Sequence, residues 1–361
     1  MAAAAPDRER LVEAFLALAG WGDARREVLA ADASFRRYDR LTRDGETAVL
    51  MDAPPPQENV RAYHQIDRLL TDLGFSAPRA FAVDEEAGFM LLEDLGDRTF
   101  TRALAEGDDE AALYRLAVDL LIALHRRAAE RPLDEAELSP YDEARLMAEA
   151  RLFTDWYLPA VTDGPLGEAA QAAFVAAWRE VLPLAQRVPD SLVLRDYHVD
   201  NLMVVPGREG IAACGLLDFQ DAVIGPRSYD LVSLLEDARR DLSPGLAAEM
   251  LQRYLAAFPE LDAEAFGASY AVMGAQRNAK IIGIFTRLCR RDGKAQYLQH
   301  IPRVWRLLEG DLSHPVLAPM KAWFDREVPA EHRRVPDAKV AGAKVVDAKV
   351  VDDSPEDGVK T

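Results

Sequence analysis

Apolar residues along this chain keep helical spacing at the start, shorten to strand spacing, and return to helical spacing for most of the remainder. Over residues 7–19, Leu11, Phe15, Leu16 and Leu18 fall on one helical face, and Trp21-Gly22 closes the segment. Two short strands are then predicted either side of Asp44-Gly45, a dipeptide suited to a tight hairpin turn. A proline-stiffened turn over 52–59 leads into a helix predicted at 59–73. Residues 77–84 and 88–96 read as further strands, the second strongly apolar and ending in an acidic turn at Glu93-Asp94. From residue 104 the period is helical. Leu113, Leu116, Leu120 and Leu124 mark a helix over 104–127, with His125 on the same stripe and read as a core or capping histidine. Further helices are predicted at 141–156, 229–239, 246–258, 262–270, 273–294 and 314–329. One interruption stands out within this helical half: an apolar run ending at Leu194, a polar loop over 195–201, a second apolar run over 202–205, and a short strand ending on Asp218.

Composition narrows the classes. The 361 residues suffice for two domains, and 49% hydrophobic content supports sizeable cores. A net charge of −18 opposes nucleic acid and anionic membrane surfaces, and neither is expected as a partner. No obligate protein partner is evident. Two widely separated cysteines, Cys214 and Cys289, fit reduced, inert thiols in the cytoplasm. The N-terminus lacks a basic region followed by an apolar core, so no signal peptide is expected, and no apolar run reaches the roughly 18 residues of a membrane span. From Arg334 the chain passes into Ala-Lys-Val repeats, and a disordered low-complexity tail is expected over 331–361.

The interruption carries the candidate chemistry. Two strands joined by a tight turn would bring Asp196, Asn201 and Asp218 to one edge. Phosphoryl transfer needs such a set, one carboxylate to accept the proton of the attacking hydroxyl and an amide with a second carboxylate to hold Mg²⁺ on nucleotide phosphates. An Asp-x4-Asn pair alone arises often in turns. The strand ending at Asp218-Phe219 and the loop-to-helix start Gly225-Pro226-Arg227-Ser228-Tyr229-Asp230 make the combination specific.

These segments resemble the catalytic core of the aminoglycoside phosphotransferase and choline kinase-like group, a branch of the protein-kinase fold. The resemblance implies an α+β, two-lobed fold, with a small mixed lobe over 1–94 and a larger, mainly helical catalytic and sugar-binding lobe over 95–330. It also implies ATP and Mg²⁺ in the cleft, Asp196 as catalytic base, Asn201 and Asp218 as metal ligands, and Asp230 as the buried brace of the catalytic loop. The group usually carries a histidine two residues before the base; Leu194 stands there instead. Glu93 to Leu95 would form the hinge whose backbone binds adenine.

The small lobe departs from the group in two ways. Its phosphate-covering loop, Ala31-Asp32-Ala33-Ser34, has no glycine, which leaves the Ser34 hydroxyl, backbone N–H groups and the pair Arg36-Arg37 to meet phosphate. Neighbours on a strand point to opposite faces, so at most one of the two arginines reaches it. Secondly, no lysine precedes Lys280, so the lysine expected on the third strand is missing, with Met51 near its place. Its usual glutamate partner is also not evident, Glu58 lying just before the helix. Either an arginine replaces the lysine or catalysis is lost.

"Ser-Phe-Arg-Arg-Tyr" at 34–38, "Met-Asp-Ala-Pro-Pro-Pro-Gln-Glu-Asn" at 51–59 and "Leu-Asp-Phe-Gln-Asp-Ala" at 217–222 are similar to a bacterial branch, the N-acetylmuramate/N-acetylglucosamine anomeric kinases of cell-wall recycling. That likeness covers about residues 30–308 and implies transfer to a sugar C1 hydroxyl. Candidate substrate contacts are Asp155 between aromatics, His198, and Arg277 with Lys280, cations on one face of an otherwise apolar helix that suit an anionic sugar. An aminoglycoside or other small-alcohol kinase and a non-catalytic nucleotide-binding regulator are the alternatives.

Overall fold

The computed structural model describes residues 8–31, 36–131, 138–162 and 164–338. Its elements, in chain order, are α1 (Arg8–Leu18), β1 (Arg25–Ala31), β2 (Arg37–Arg43), β3 (Glu46–Asp52), α2 (Val60–Asp72), β4 (Ala80–Asp84), β5 (Phe89–Glu93), α3 (Phe100–Glu106), α4 (Glu110–Glu130), α5 (Glu143–Leu152), α6 (Leu158–Val161), α7 (Glu168–Ala185), β6 (Asp190–Val193), β7 (Leu202–Val204), β8 (Cys214–Leu216), β9 (Val223–Pro226), α8 (Ser228–Leu235), α9 (Leu246–Ala257), α10 (Ala263–Asp292), α11 (Ile301–Leu312) and α12 (Ala318–Glu327). The first seven of these make a small lobe; the remainder make a mainly helical one.

The small lobe is an antiparallel sheet in the order β1-β2-β3-β5-β4. Its β2–β3 hairpin turns through Asp44 and Gly45, both at positive φ (51° and 84°), with Arg43 opposite Glu46. Two consecutive left-handed residues give a turn whose twist matches that of the strands, and Asp-Gly accepts it. β3 is buried on both faces. Ala48 and Leu50 pack with Phe89 and Leu91 against α1, while Val49 and Met51 pack with Met90 and Leu92 against α2. The Met51 side chain is wholly enclosed in this second cluster. An ammonium at the same depth would be costly unless paired.

That second cluster runs on without a break into α4 and the segment over 192–219, including Leu192, Tyr197, Leu202 and Phe219, so one apolar core spans both lobes. His125 belongs to it, buried, its Nδ1 2.6 Å from the Tyr254 hydroxyl, as expected for a core histidine. The second large core gathers α5, α7, α11 and α12 around α10. Helix α10 joins the separately predicted 262–270 and 273–294 into one helix of 30 residues, capped by the Asp262 carboxylate at one end and by left-handed Gly293 at the other. It passes so close to α5 that a Cβ on Gly283 would lie 2.3 Å from the Leu152 backbone. Opposite that approach, residues Phe153–Tyr157 widen into a single π-helical turn.

Six other elements differ from expectation. Strands β1 and β9 and helices α6, α7 and α11 were not predicted, and the 104–127 helix is two, broken at Gly107 and restarted by an Asp109 cap. Packing continues past residue 331: the Tyr157 hydroxyl bonds the carbonyls of His332 and Arg334, and Arg333 lies over Trp305. From 339 onward the expected disordered tail lies outside the described residues. Among the described residues, no helix is long and apolar enough to cross a membrane, and both cysteines are free and buried.

Candidate active site

Strands β6 and β9 pair, as do β7 and β8, and these two short ladders fix the ends of the loop over 195–201 and the turn at Asp218. The loop is held from below. Buried Asp230, near the start of α8, accepts the backbone N–H groups of Leu194 (2.6 Å) and Arg195 (2.9 Å). Burial pushes its carboxyl up to about 7 against these two bonds. Ser233 donates to the Arg195 carbonyl (3.2 Å), and the Tyr197 hydroxyl donates to the Ala117 carbonyl on α4 (2.8 Å). Arg195 and Asp218 are two of the three non-glycine residues at positive φ (69° and 57°) among the described residues. Such conformations persist only where the surroundings over-determine them, and here they flank the cluster.

Glu149 on α5 completes the support. Its carboxylate meets the Arg195 guanidinium, the Lys280 ammonium (3.1 Å), the Gln276 amide (3.2 Å) and the Tyr141 hydroxyl. Burial alone would raise this carboxyl, but Lys280 and then Arg195 overcome it and hold it at about 2. Lys280, for its part, also donates to the Tyr229 hydroxyl (2.9 Å). Sequence reasoning missed Glu149. The signal available was three polar side chains on one face of a helix inside the apolar core, which require a buried acid nearby.

Above the loop the three predicted residues converge. Asp196 is exposed, and no described residue hydrogen-bonds its carboxylate. The Asn201 amide donates to the Asp196 carbonyl (3.0 Å) and lies 3.5 Å from the Asp218 Oδ2. The Gln220 amide donates to Asp218 Oδ1 (3.0 Å). Among the described residues there is no cluster of three or more His, Cys, Asp or Glu side chains able to hold a metal unaided. Asn201 with Asp218 therefore offers an amide and one carboxylate, a set that suits Mg²⁺, which keeps several waters and takes its remaining oxygens from phosphates.

Arg36 enters from the small lobe. Its side chain, 10% exposed, lies 3.4 Å from Asp218 Oδ1 and 3.5 Å from Glu58 Oε2. Arg37 points elsewhere, half-exposed and paired with Asp39 (2.9 Å), in line with opposite-face placement. Ser34 lies outside the described residues. A cavity of about 380 Å³ opens between the lobes. Its walls are apolar (Val49, Leu92, Met203, Leu217), Glu93, Asp94, Leu95 and Gly96 form its edge, and Asn201 and Asp218 close its inner end. Arg40 forks onto Asp94 (2.7 and 3.0 Å) and fixes that edge. The Tyr63 ring on α2 packs on Phe219 (4.9 Å), tying α2 to the Asp218 turn.

The substrate candidates separate. His198 is buried two residues after Asp196, its Nε2 3.5 Å from the Asn201 amide nitrogen and its Nδ1 without a partner among the described residues; burial and Arg239 lower its pKa to about 4. Arg277 is buried and faces the Glu236 carbonyl (3.5 Å). Lys280 sits under the loop, on Glu149, rather than above it. Asp155 is exposed on the π-helical turn, its carboxylate next to the Thr154 hydroxyl (3.3 Å), with no contact to the loop among the described residues.

Residues 25–265 match the phosphotransferase enzyme family. The chain belongs to that family. It is 41% identical over 359 residues to the N-acetylmuramate/N-acetylglucosamine kinase of Caulobacter vibrioides, covering 91% of this chain and 99% of the relative. It is 39% identical to the protein of the same name from Pseudomonas aeruginosa, covering 83% and 88%. The fold is shared with a GDP complex of aminoglycoside 2'-phosphotransferase-IIIa (TM-score 0.58, 16% identity, 84% of this chain and 98% of that one). Choline kinase LicA from Streptococcus pneumoniae shares it too (TM-score 0.58, 13% identity, 85% and 99%). This family member is thus a kinase-type phosphotransferase with the two-lobed, protein-kinase-like α+β fold.

Proposed function

We propose that the protein transfers the γ-phosphoryl group of ATP to the anomeric C1 hydroxyl of N-acetylmuramate and N-acetylglucosamine, giving the 1-phosphates in peptidoglycan recycling. The observation that carries this is the exposed, unbonded Asp196 carboxylate, held on a braced loop one amide away from Asp218. The names of the 41% and 39% identical relatives supply the sugar class.

The apolar slot accepts the adenine ring, with the backbone of Glu93 to Leu95 at its edge. Asp196 orients the C1 hydroxyl and takes its proton as the new O–P bond forms. The bond from the γ-phosphorus to the β,γ-bridging oxygen breaks, and ADP leaves with that electron pair. An anomeric hydroxyl is more acidic than an ordinary alcohol, so it asks little of its base. Positioning carries most of the rate. Asn201 and Asp218 would hold Mg²⁺, which supplies charge neutralisation at the phosphates when bound. His198, with a buried nitrogen lacking a partner, is placed to bond the sugar beside Asp196, and Arg277 lends positive charge from behind it.

The test is phosphorus NMR of products from ATP-Mg²⁺ with N-acetylmuramate, N-acetylglucosamine and kanamycin. The expected outcome is a phosphate resonance split by an anomeric proton with the two amino sugars, and none with kanamycin. Phosphorylation at another sugar position, or turnover with kanamycin alone, would overturn the reading.

A further inference from the structure

We infer that Glu236 and Asp311 share one proton, and that the hydrogen bond it makes positions the segment 236–241 on the sugar side of the site; the inference rests on the sugar-kinase reading above. The pair lies where the end of α8 meets α10 and α11. Asn278 donates its side-chain amide to both carboxyls, at 2.8 Å to Glu236 and 2.9 Å to Asp311. The two carboxyls also hydrogen-bond each other. An ionised carboxylate only accepts, so that bond requires a proton on one of the two. Asp311 and Asn278 are buried, and Glu236 is partly so.

The surroundings suit one negative charge on the pair and not two. Burial, and after it the nearness of Glu236, pushes the Asp311 carboxyl well above its ordinary range. Burial raises Glu236 too, against the donors around it. The titratable and charged groups that face the pair are Tyr270, whose hydroxyl donates to Glu236, and Arg277, which supplies one positive charge; both belong to α10. That helix passes so near that a Cβ on Gly274 would lie 2.5 Å from Asp311 Oδ1.

What the pair holds is a short segment that reaches the catalytic loop. Glu236 opens it and is tied to α11 through Asp311. Asp241 closes it and is tied to α11 by Arg303 and Arg306, each at 3.0 Å. Between these anchors, Asp237 accepts the Arg239 backbone N–H (2.9 Å), and the Arg239 guanidinium meets Asp200 on the loop (3.0 Å). Arg277 reaches the Glu236 carbonyl (3.5 Å). Arg239, Asp237 and Arg277 all lie close enough to His198 for their charges to act on it. Shifting the segment would shift the groups around His198, so Glu236 and Asp311 serve as positioning residues.

The experiment compares wild type with Asp311→Asn, Asp311→Ala and Gly274→Ala. Thermal melting from about pH 6 to 9 reads the proton, because unfolded carboxyls have released theirs in that range while the folded pair retains one. An asparagine amide can accept from Asn278 and donate to Glu236, as the protonated acid does, with no proton to lose. Asp311→Asn is therefore expected to gain several degrees on wild type as pH rises over that range, with the KM for N-acetylmuramate within about twofold. Asp311→Ala should raise that KM roughly 10-fold at unchanged Mg²⁺-ADP affinity, and speed hydrogen exchange over 236–241 to a similar degree. A purely structural acid would lower the melting temperature and leave the KM where it was. A melting gap between wild type and Asp311→Asn that stays constant with pH overturns the shared proton. A KM and an exchange rate within twofold of wild type in Asp311→Ala overturn the positioning role. If Asp311→Ala does not fold, Gly274→Ala, which crowds the Asp311 carboxyl, replaces it with the same expectations. Melting and hydrogen exchange need no sugar, so they decide the inference even if the sugar panel fails, and the two failures stay distinguishable.

Discussion

Beneath the Asp196 loop, Glu149 is enclosed by Arg195, Lys280, Gln276 and Tyr141, and Asp230 by two backbone N–H groups, all of them short contacts in the protein interior. Above the same loop, a few ångströms away, Asp196 is exposed without a hydrogen bond, and Arg36 spans Glu58 and Asp218 at 3.4–3.5 Å. Ionisable groups are dense on both sides, but their partners differ in kind. Below, Glu149 has found its counter-charges within the chain and Asp230 its two N–H donors, and removing a member of the Glu149 group leaves another stranded in low dielectric. Above, the Asp196 carboxylate takes no hydrogen bond from a described residue, while Asp218 accepts one from Gln220 at 3.0 Å and lies 3.4 Å from Arg36. Charge density alone therefore does not mark the site; the distinction lies in whether the charge is already satisfied.

The largest expected effect tests the upper side. Asp196→Asn should lower turnover by about 10²- to 10⁴-fold, the usual worth of a positioned general base. Mg²⁺-ADP affinity and melting temperature should stay near wild type, because no described residue bonds that carboxylate. Turnover within a few-fold of wild type, or a marked drop in melting temperature, would show that Asp196 belongs with the structural charges below.

Lys280→Met tests the lower side and should do the reverse. It strips Glu149 of one of its two cations, at a cost of about 3–5 kcal/mol in unfolding free energy for a broken buried pair, measured by urea denaturation. The KM for N-acetylmuramate should change little in the fraction that remains folded. A stable variant with a raised KM for the anionic sugar alone would instead place Lys280 at the substrate and dissolve the contrast between the two sides.

The same contrast explains what could be read from the sequence. Asp196, Asn201 and Asp218 were legible because their geometry is local: short strands, tight turns and fixed spacings bring them together within 23 residues. The Asp44-Gly45 hairpin and the buried His125 were legible for similar reasons. Lys280 was read as an odd charge on an apolar helix and as a candidate substrate contact; it sits instead on Glu149, 131 residues earlier on α5, and no local pattern announces that meeting. Arg36 and Arg37 could be narrowed to one by strand alternation, though not chosen between, because Glu58 and Asp218 come from separate elements. Strand β1 escaped notice since Arg25, Arg26 and Glu27 interrupt its apolar alternation; Arg25 pairs with Glu27, and Arg26 with Asp39 on β2. Helix α7 escaped because its alanine-rich sequence shows little contrast between faces, its burial being set by α10 and α12.

A smaller effect is expected where the lower support is steric rather than ionic. Gly283→Ala drives a methyl into the Leu152–Phe153 backbone, at 2.3–2.6 Å, and α10 and α5 must part to admit it. Overpacking of this kind costs about 1–3 kcal/mol, which thermal melting would register. Because Glu149 rides on α5, some slackening of Arg195 should follow, seen as a modest fall in turnover at unchanged ADP affinity. Gly267, with open space around its Cβ position in the same helix, gives the control: Gly267→Ala should be neutral or stabilising.

Titration offers the gentlest probe, because it separates the two sides without a substitution. The lower side contains Glu149, whose carboxyl is held at about 2, below its ordinary value near 4.5, by Lys280 and Arg195. A depressed acid stabilises the fold above its unfolded pKa, and that contribution is lost as pH falls from about 4.5 toward 2. At the cleft, His198 is lowered to about 4 by burial and by Arg239 and Arg277, against the pull of Asp237 and Asp196. Buried His125, lowered to about 3, behaves alike. Both histidines are neutral in the fold, so the unfolded chain takes up protons first and stability declines as pH drops below about 6.5. The slope is at most about 1.4 kcal/mol per pH unit for each histidine. Asp230 and Asp67, raised to about 7 by burial, gain stability over the same range and offset the histidines, so the histidine contribution is read as the difference in melting temperature between wild type and a histidine variant below about pH 6.5, and the acid stage follows below about 4.5. His198→Asn should gain on wild type below about pH 6.5 and leave the acid stage unmoved, since Glu149 answers to Lys280 and Arg195 and not to the cleft. If instead that variant shifted the acid stage as well, the charges above and below the loop would be titrating as one network, and the separation between them would be lost.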